Sequence, residues 1–448
     1  MIVPDVTLEL AQWVVQLRPQ DIPDDVRREG VRTFVNWLGC AVGGANHETV
    51  DRAMAAVTQF CGPQQATVIG RPERLDVLHA ALLNGISSHV LDYDDTHLKT
   101  IIHPAGPVAS AALAVAEHRS ISGARVLDAM IVGIEVECRI GNSIYPDHYD
   151  RGWHITGTAG VFGAAAATAR LLGLDQQRTA WALGLAATQS AGIREMFGTM
   201  TKSFHPGRAA QNGAMAAYLA ESGFDSSERG IEALRGFANI YSNKQDYNEI
   251  LGDLGRRWEA ALNSYKPFTC GIVIHPTIDG CIQLRNELGV SGDEIESVAL
   301  RTHPLVLELT GKKTPKTGLE SKFSVYHAAS VALLKGDGSP EAFTDSLATD
   351  AEVIALRDRV SAEPGEGIGE DQVVISLRLR DGRVIEKRIE HAIGSVKRPL
   401  SNSELDAKFM RQSSLVIGEE KAGALLNAAW QVAEAGIVGD ILSHSAPA

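Results

Sequence analysis

Q-V-V-I-S-L-R-L-R-D-G-R-V-I-E-K-R-I, Gln372 to Ile389, separates this chain from an all-helical one. Apolar and polar residues alternate from Gln372 to Arg380 and again from Arg383 to Ile389, the period of a half-buried strand. Asp381-Gly382 between the two runs is a strong hairpin signal, because both central positions of a tight hairpin turn need positive φ. Ser297-Val-Ala-Leu-Arg-Thr-His303 alternates in the same way. Helical spacing covers Pro276 to Leu288 and Lys322 to Leu334. Strands and helices together read as an α+β unit with a mainly antiparallel sheet. Glu363 to Gly369 reads as an acidic loop.

Outward from this unit the pattern is helical. Before about residue 240 the apolar residues recur at helical spacing. Examples are Val31, Phe34, Val35 and Leu38 after Pro23-Asp24-Asp25, then Asp76–Leu91, Pro107–Ala116, Val126–Ile140, Gly160–Leu172, Arg178–Ser190 and Gln211–Ala220. Glycines between them (Gly70, Gly123, Gly173, Gly223) suit helix ends. The change to strand patterning comes near Asn263, and helices resume after Ser401. The fold class is mainly α with an α+β second domain.

The chain has 448 residues, 44% hydrophobic and 22% charged, with a net charge of −13. This is a globular composition, and no Lys/Arg run offers a nucleic-acid footprint. Five scattered cysteines without C-x-x-C point to a reducing compartment and away from a disulfide framework or a thiolate-held metal. Met1 to Gln12 carries Asp5 and Glu9 and no basic leader, so no signal peptide is expected. The apolar stretch Thr158–Leu174 contains Arg170 and reads as a buried core helix, not a membrane span. The location expected is cytoplasmic.

Four polar clusters interrupt the apolar pattern. Gly198 to Gly213, G-T-M-T-K-S-F-H-P-G-R-A-A-Q-N-G, gathers Lys202, His205 and Arg208. We read it as a Gly-rich loop opening onto a helix, a site for a carboxylate or phosphate. Leu91-Asp-Tyr-Asp-Asp-Thr-His97 with Ile102-His-Pro-Ala-Gly106 places three carboxylates beside His97 and His103. A divalent metal is one reading of that set, but the spacing matches no His/carboxylate motif, so none is expected. Gly152-Trp-His-Ile-Thr-Gly157 puts His154 at a helix start, either facing a ligand or satisfied by a carbonyl. Tyr265-Lys-Pro-Phe-Thr-Cys270, with His275 following, lies at the boundary between the helical and α+β parts, where clefts form. Cys270 reads as an inert buried thiol. No dinucleotide, P-loop or nucleophile-elbow fingerprint is present. What remains is acid/base work on an anionic small molecule: a histidine takes a proton from carbon, and cations stabilise the enolate-like charge.

The ordered set N-G-x-x-x-H-x-L-D-Y-D-D-T, H-P-A-G, G-W-H-x-T-x-T-x-G-V-F-G-A, G-T-M-T-K-x-x-H-x-G-R-A-A-x-N-G, K-P-F-x-C-x-x-x-x-H-P and K-F-S-V-Y-H resembles the MmgE/PrpD family. That family includes 2-methylcitrate dehydratase, cis-aconitate decarboxylase and iminodisuccinate epimerase. The resemblance implies a helical domain from residues 1–265 and 400–448 and an inserted α+β lid at 266–399. It implies a homodimer with no metal or organic cofactor, acting on a small di- or tricarboxylate. Its polar pocket falls on Asp92, Thr96, His103, His154, Lys202 and Lys266, with His205 and Arg208 in the lysine motif. In decarboxylase-like members a tyrosine falls three residues after the serine of the F-S motif. Here that place is His327, with Tyr326 before it, and both are taken as substrate-facing. A histidine of the decarboxylases shortly after the matched lysine is Gly271 here.

The expected reaction is removal or addition of water on a di- or tricarboxylate. His103 and His154 form the acid/base pair, with Asp92 orienting a histidine and Lys202 central to the site. Thr96, Lys266, His205, Arg208, Tyr326 and His327 are expected on the substrate. Decarboxylation and epimerisation remain as alternatives on the same fold, and a non-catalytic carboxylate-binding protein remains as one of another class.

Overall fold

The computed structural model describes residues 5–447. The part of the N-terminal reading that rests on Met1–Pro4 lies outside them. The chain enters helix α1 at Val6–Gln16. It continues through α2 (Asp24–Gly44), α3 (Val77–Val90), α4 (Ala105–His118), α5 (Gly123–Ile144), α6 (Ile155–Leu172), α7 (Gln176–Ala187) and α8 (Thr201–Glu221). Local chemistry marks their ends. The Asp76 carboxylate accepts from the Leu78 and His79 amides to start α3, and Gly173 in the left-handed region stops α6. Phe34, Trp37 and Leu38 of α2, Leu83 of α3, Val108 of α4, Val132 of α5 and Phe162 of α6 fill one core. α6 is long and apolar enough to cross a membrane by composition, yet 89% of it is buried among the other helices.

Two departures from the sequence reading matter here. Lys202, His205 and Arg208 do not lie in a loop: α8 begins at Thr201 and carries all three, with Pro206 inside the helix. Proline there removes one helical hydrogen bond. Packing overrides that cost, because α3 and α8 touch backbone to backbone. A Cβ on Gly85 would lie 2.5 Å from Gly207 Cα, and one on Gly207 would lie 2.4 Å from the Leu82 carbonyl oxygen. The second departure is a short antiparallel pair that periodicity did not reveal. Strands β1 (Asp95–His97) and β2 (Asn263–Tyr265) pair with Asp95 opposite Tyr265. Runs of three buried polar residues carry no alternation to read.

The α+β part has its own core, including Ile274, Val298, Leu300, Val331, Ile375 and Leu377. Its sheet contains β3 (Ile295–Thr302), β4 (Val360–Pro364), β5 (Val373–Leu379) and β6 (Val384–Ile389) in the order β4-β3-β5-β6. The three alternating runs of the sequence analysis are β3, β5 and β6, joined antiparallel in one sheet. β4 was not expected; it runs parallel to β3 and takes in Glu363 and Pro364, which had been read as loop. It is an edge strand with one buried residue at its start, so it shows no strand period. Helices α9 (His275–Leu288) and α10 (Val325–Lys335) cover the sheet. A capping box of Ser401 and Glu404 then starts α11 (Asn402–Ile417), which packs on α2, and α12 (Glu419–Trp430) follows. Phe409 and Leu425 of these last helices belong to the first core, not the second.

Candidate active site

A narrow cavity opens where the two cores meet. Asp92, His103, His154, Lys202 and Lys266 line it, together with the apolar side chains Ile101, Phe197, Ile272, Val273, Leu309 and Phe323. Five residues from widely separated stretches of sequence therefore converge. The β1–β2 pairing explains part of this. Lys266 directly follows β2 and is delivered beside Asp92, which lies just before β1. Asp92 itself has φ of 53°, a left-handed backbone that a non-glycine residue adopts at a cost. That turn aims its carboxylate between two ammonium groups, Lys266 at 2.6 Å and Lys202 at 3.0 Å. Burial alone would push the Asp92 carboxyl up; the two lysines outweigh burial and hold it well below the usual carboxylate range.

The lysines are not equivalent. Lys266 Nζ donates to Asp92 Oδ1, to the Asp92 carbonyl and to the Cys270 carbonyl, which uses all three of its hydrogens. Lys202 Nζ reaches Asp92 Oδ1 and, at 3.1 Å, His89 Nε2, and keeps one hydrogen free. The faces of Phe197 and Phe323 lie 5.5 Å from the Lys202 ammonium. Burial lowers the Lys202 pKa, and Asp92 opposes that shift. The Lys266 seen here thus orients Asp92 and the Cys270 turn, where sequence reasoning had placed it on the substrate.

The histidines are held in defined states. His103 Nδ1 lies 2.9 Å from the Asp95 carbonyl oxygen and 3.3 Å from Asp94 Oδ1. A carbonyl only accepts, so Nδ1 carries the hydrogen and Nε2 is left as a bare lone pair. Burial lowers the His103 pKa, so the neutral base is the resting form. Thr96 Oγ1 is 3.4 Å from the same Nδ1 and fully buried; it steadies the ring and does not face the cavity. His154 starts α6, and its ring centroid is 6.4 Å from that of His103. Its Nδ1 meets His205 Nδ1 at 2.7 Å, so one of the two donates to the other. His205 is therefore behind His154, not against a substrate.

His89 is the histidine of the N-G-x-x-x-H-x-L-D-Y-D-D-T motif, but sequence reasoning gave it no role, because a lone histidine near the end of an apolar helix reads as core. Its Nδ1 bonds Asp94 Oδ2 at 2.6 Å, which leaves Nε2 to accept from Lys202. Burial drives the His89 pKa down to about 4 despite Asp94, so the ring is neutral. The resulting chain Asp94–His89–Lys202–Asp92–Lys266 is almost wholly buried.

Three expected site residues lie elsewhere. Arg208 is on the exposed side of α8, bonded to Gln211, and lines a separate surface pocket with His205. At roughly 100° per residue, six residues from Lys202 place Arg208 about 120° around the helix from it. Tyr326 and His327 begin α10, whose first turn is fixed when Ser324 accepts from the His327 amide. That cap directs His327 into the lid core, where Nε2 bonds the Ala342 carbonyl at 2.9 Å, and neither residue lines the cavity.

Among the described residues, two groups have the donor density of a metal site: His89, His103 and His154, and His89, Asp92, Asp94 and His103. The Lys202 ammonium sits on two of those ligands already, so an ion placed there would meet a buried cation.

The match to a family model is decisive at this point. Residues 8–250 match the MmgE/PrpD N-terminal domain and residues 268–432 the MmgE/PrpD C-terminal domain. The chain belongs to the MmgE/PrpD family. It is similar to the cis-aconitate decarboxylase of Mus musculus, at 27% identity over 95% of this chain and 90% of that one. Similarity to the cis-aconitate decarboxylase of Aspergillus terreus is 26% identity over 93% of this chain and 91% of that one. The mitochondrial 2-methylcitrate dehydratase of Yarrowia lipolytica is more distant, at 22% over 82% of this chain and 75% of that one. The MmgE/PrpD membership accords with the two-core architecture and marks the chain as related to lyases.

Proposed function

We propose that this MmgE/PrpD chain is a lyase on a small di- or tricarboxylate, and that its first reaction is elimination or addition of water. The observation that carries the reading is His103, its Nδ1 pinned to a carbonyl and its Nε2 free at a cavity that also holds Lys202. His103 Nε2 takes the proton from carbon next to a carboxylate. The C–H electron pair moves into that carboxylate, where the free Lys202 hydrogen stabilises the developing charge. The pair then returns to expel hydroxide from the neighbouring carbon; the hydroxide takes the His154 Nε2 proton as His205 passes its Nδ1 proton to His154 Nδ1, and His205, at the surface pocket, regains a proton from solvent, to which His103 releases the one it took. His154 carries that hydrogen when His205 Nδ1–H donates to His154 Nδ1. One proton is taken and one is given, so water leaves without net proton exchange. The acid/base chemistry is complete without a metal or organic cofactor.

Decarboxylation is the second reading, favoured by the similarity to cis-aconitate decarboxylases. There the C–C bond breaks, CO2 leaves, and one of the same histidines protonates the carbanion, consuming one proton per turnover. Gly271 lines the cavity at the place where decarboxylase-like members carry a histidine, and this keeps water loss first. The test is a panel of di- and tricarboxylates incubated in D2O and followed by NMR. Loss or gain of water with deuterium at the α carbon supports the first reading, and CO2 release supports the second. Unchanged substrates with no exchange across the panel would defeat both.

A further inference from the structure

The K-F of the K-F-S-V-Y-H motif takes no part in the chemistry above, yet it sits against it. A second, narrow chamber adjoins the catalytic cavity and shares Asp92, Lys202 and Phe323 with it. Its other walls include His89, Ser203 and Lys322. Lys322 comes from the lid and is only 4% exposed. Its ammonium donates to the Leu91 carbonyl of the helical part at 2.5 Å, and this is its single hydrogen bond. Two of its hydrogens are therefore uncommitted. No carboxylate of the protein lies within ion-pair distance of it among the described residues; Asp92 is taken by Lys202 and Lys266.

A buried ammonium without a counter-ion is costly unless a ligand supplies the charge. Burial lowers the Lys322 pKa to about 8, so the group still carries its proton at neutral pH. Lys266 is saturated by its own carbonyl and carboxylate partners, so of the lysines lining the cavity and the chamber, Lys202 and Lys322 keep free hydrogens. They line the same chamber, one from each part of the molecule. We infer that Lys322 forms a second carboxylate subsite beside Lys202: Lys202 holds the carboxylate at the reacting carbon, and the lid lysine binds a carboxylate of the substrate remote from it. The subsite selects substrates with one carboxylate more than the reaction itself needs, and it ties lid position to substrate charge. This inference rests on the carboxylate reading of the site above.

The test is equilibrium binding of two unreactive probes, propane-1,2,3-tricarboxylate and the monocarboxylate butyrate, to wild-type protein and to Lys322→Met and Lys322→Arg, with thermal melts as a check on folding. Wild type is expected to bind the tricarboxylate more tightly than butyrate. Lys322→Met should weaken the tricarboxylate by at least about tenfold, the loss of one charge-assisted contact, and change butyrate by less than about twofold. Lys322→Arg should recover much of the loss. Equal weakening of both probes, or a lowered melting temperature with unchanged relative affinity, would make Lys322 a strut between lid and body and overturn the subsite. Unchanged tricarboxylate binding in Lys322→Met, in a protein whose wild type still turns over a carboxylate, would overturn this inference alone. Failure of wild type to bind either probe or turn over any carboxylate would overturn the functional reading with it.

Discussion

At the scale of single residues, charge and tautomer set the chemistry. His103 is a base because a carbonyl fixes its other nitrogen, and His103→Gln should lower kcat by at least about 100-fold, the low end for general acid/base catalysis. His154→Gln should do the same, while unaltered turnover in both variants would remove the pair from the mechanism. Lys202→Ala should lower kcat/KM by about 10- to 150-fold, the worth of one charge-assisted contact, in steady-state kinetics. The pH profile follows from the signs. His103 has its pKa lowered from 6.5 by burial and must be neutral to act, so activity persists below pH 6.5 and is lost only on the more acid side. Lys202 has its pKa lowered from 10.5 and must be charged, so activity is lost on the alkaline side before 10.5. His89→Asn removes the acceptor that holds Lys202 and should shift the alkaline limb, which a purely structural role would leave in place. His89 stands in one of the family motifs, but its role was not legible in the sequence. Its importance depends on Asp94 and Lys202 arriving from other segments, and single-chain periodicity carries no record of that.

At the scale of elements, close backbone packing positions the cluster. α8 carries Lys202 and His205 inward only because Gly207 lies on α3. Gly207→Ala would press a methyl against the Leu82 carbonyl and shift the helix. We expect a loss of about 1–3 kcal/mol in stability by denaturant titration, together with a drop in activity from displacement of Lys202. A variant with wild-type stability and kinetics would show that the α3–α8 contact does not position the site. The long helices and the strands of the Asp381-Gly382 hairpin were readable, because each has a strong period and a marked end. The β1–β2 pair and the edge strand β4 were not, since three buried polar residues and a half-exposed run show no alternation. The start of α8 was missed for another reason: Gly198, Pro206 and Gly207 look like a loop until tertiary packing is known.

At the scale of the whole molecule, two cores close over one cavity, and the chemistry lies at their seam. The helical part supplies His89, Asp92, His103, His154 and Lys202; Lys266 stands at the crossing, and Lys322 and Phe323 reach in from the lid. The order of motifs along the chain made the family legible, but Arg208, Tyr326 and His327 show its limit. Proximity to a motif places a residue in sequence, and helix phase decides which way it faces. Because the Lys202 ammonium already occupies the position between His89 and Asp92, EDTA-treated protein should keep full activity. Activity lost to the chelator and restored by one divalent ion would contradict a metal-free mechanism. The central claim, a proton taken by His103 from carbon beside a carboxylate, is tested most directly by NMR in D2O with a tricarboxylate that wild type converts. Wild type should put solvent deuterium on that carbon in substrate or product, and His103→Gln, folded as judged by its melt, should slow this by at least about 100-fold. Deuterium incorporation by His103→Gln at the wild-type rate would contradict the account.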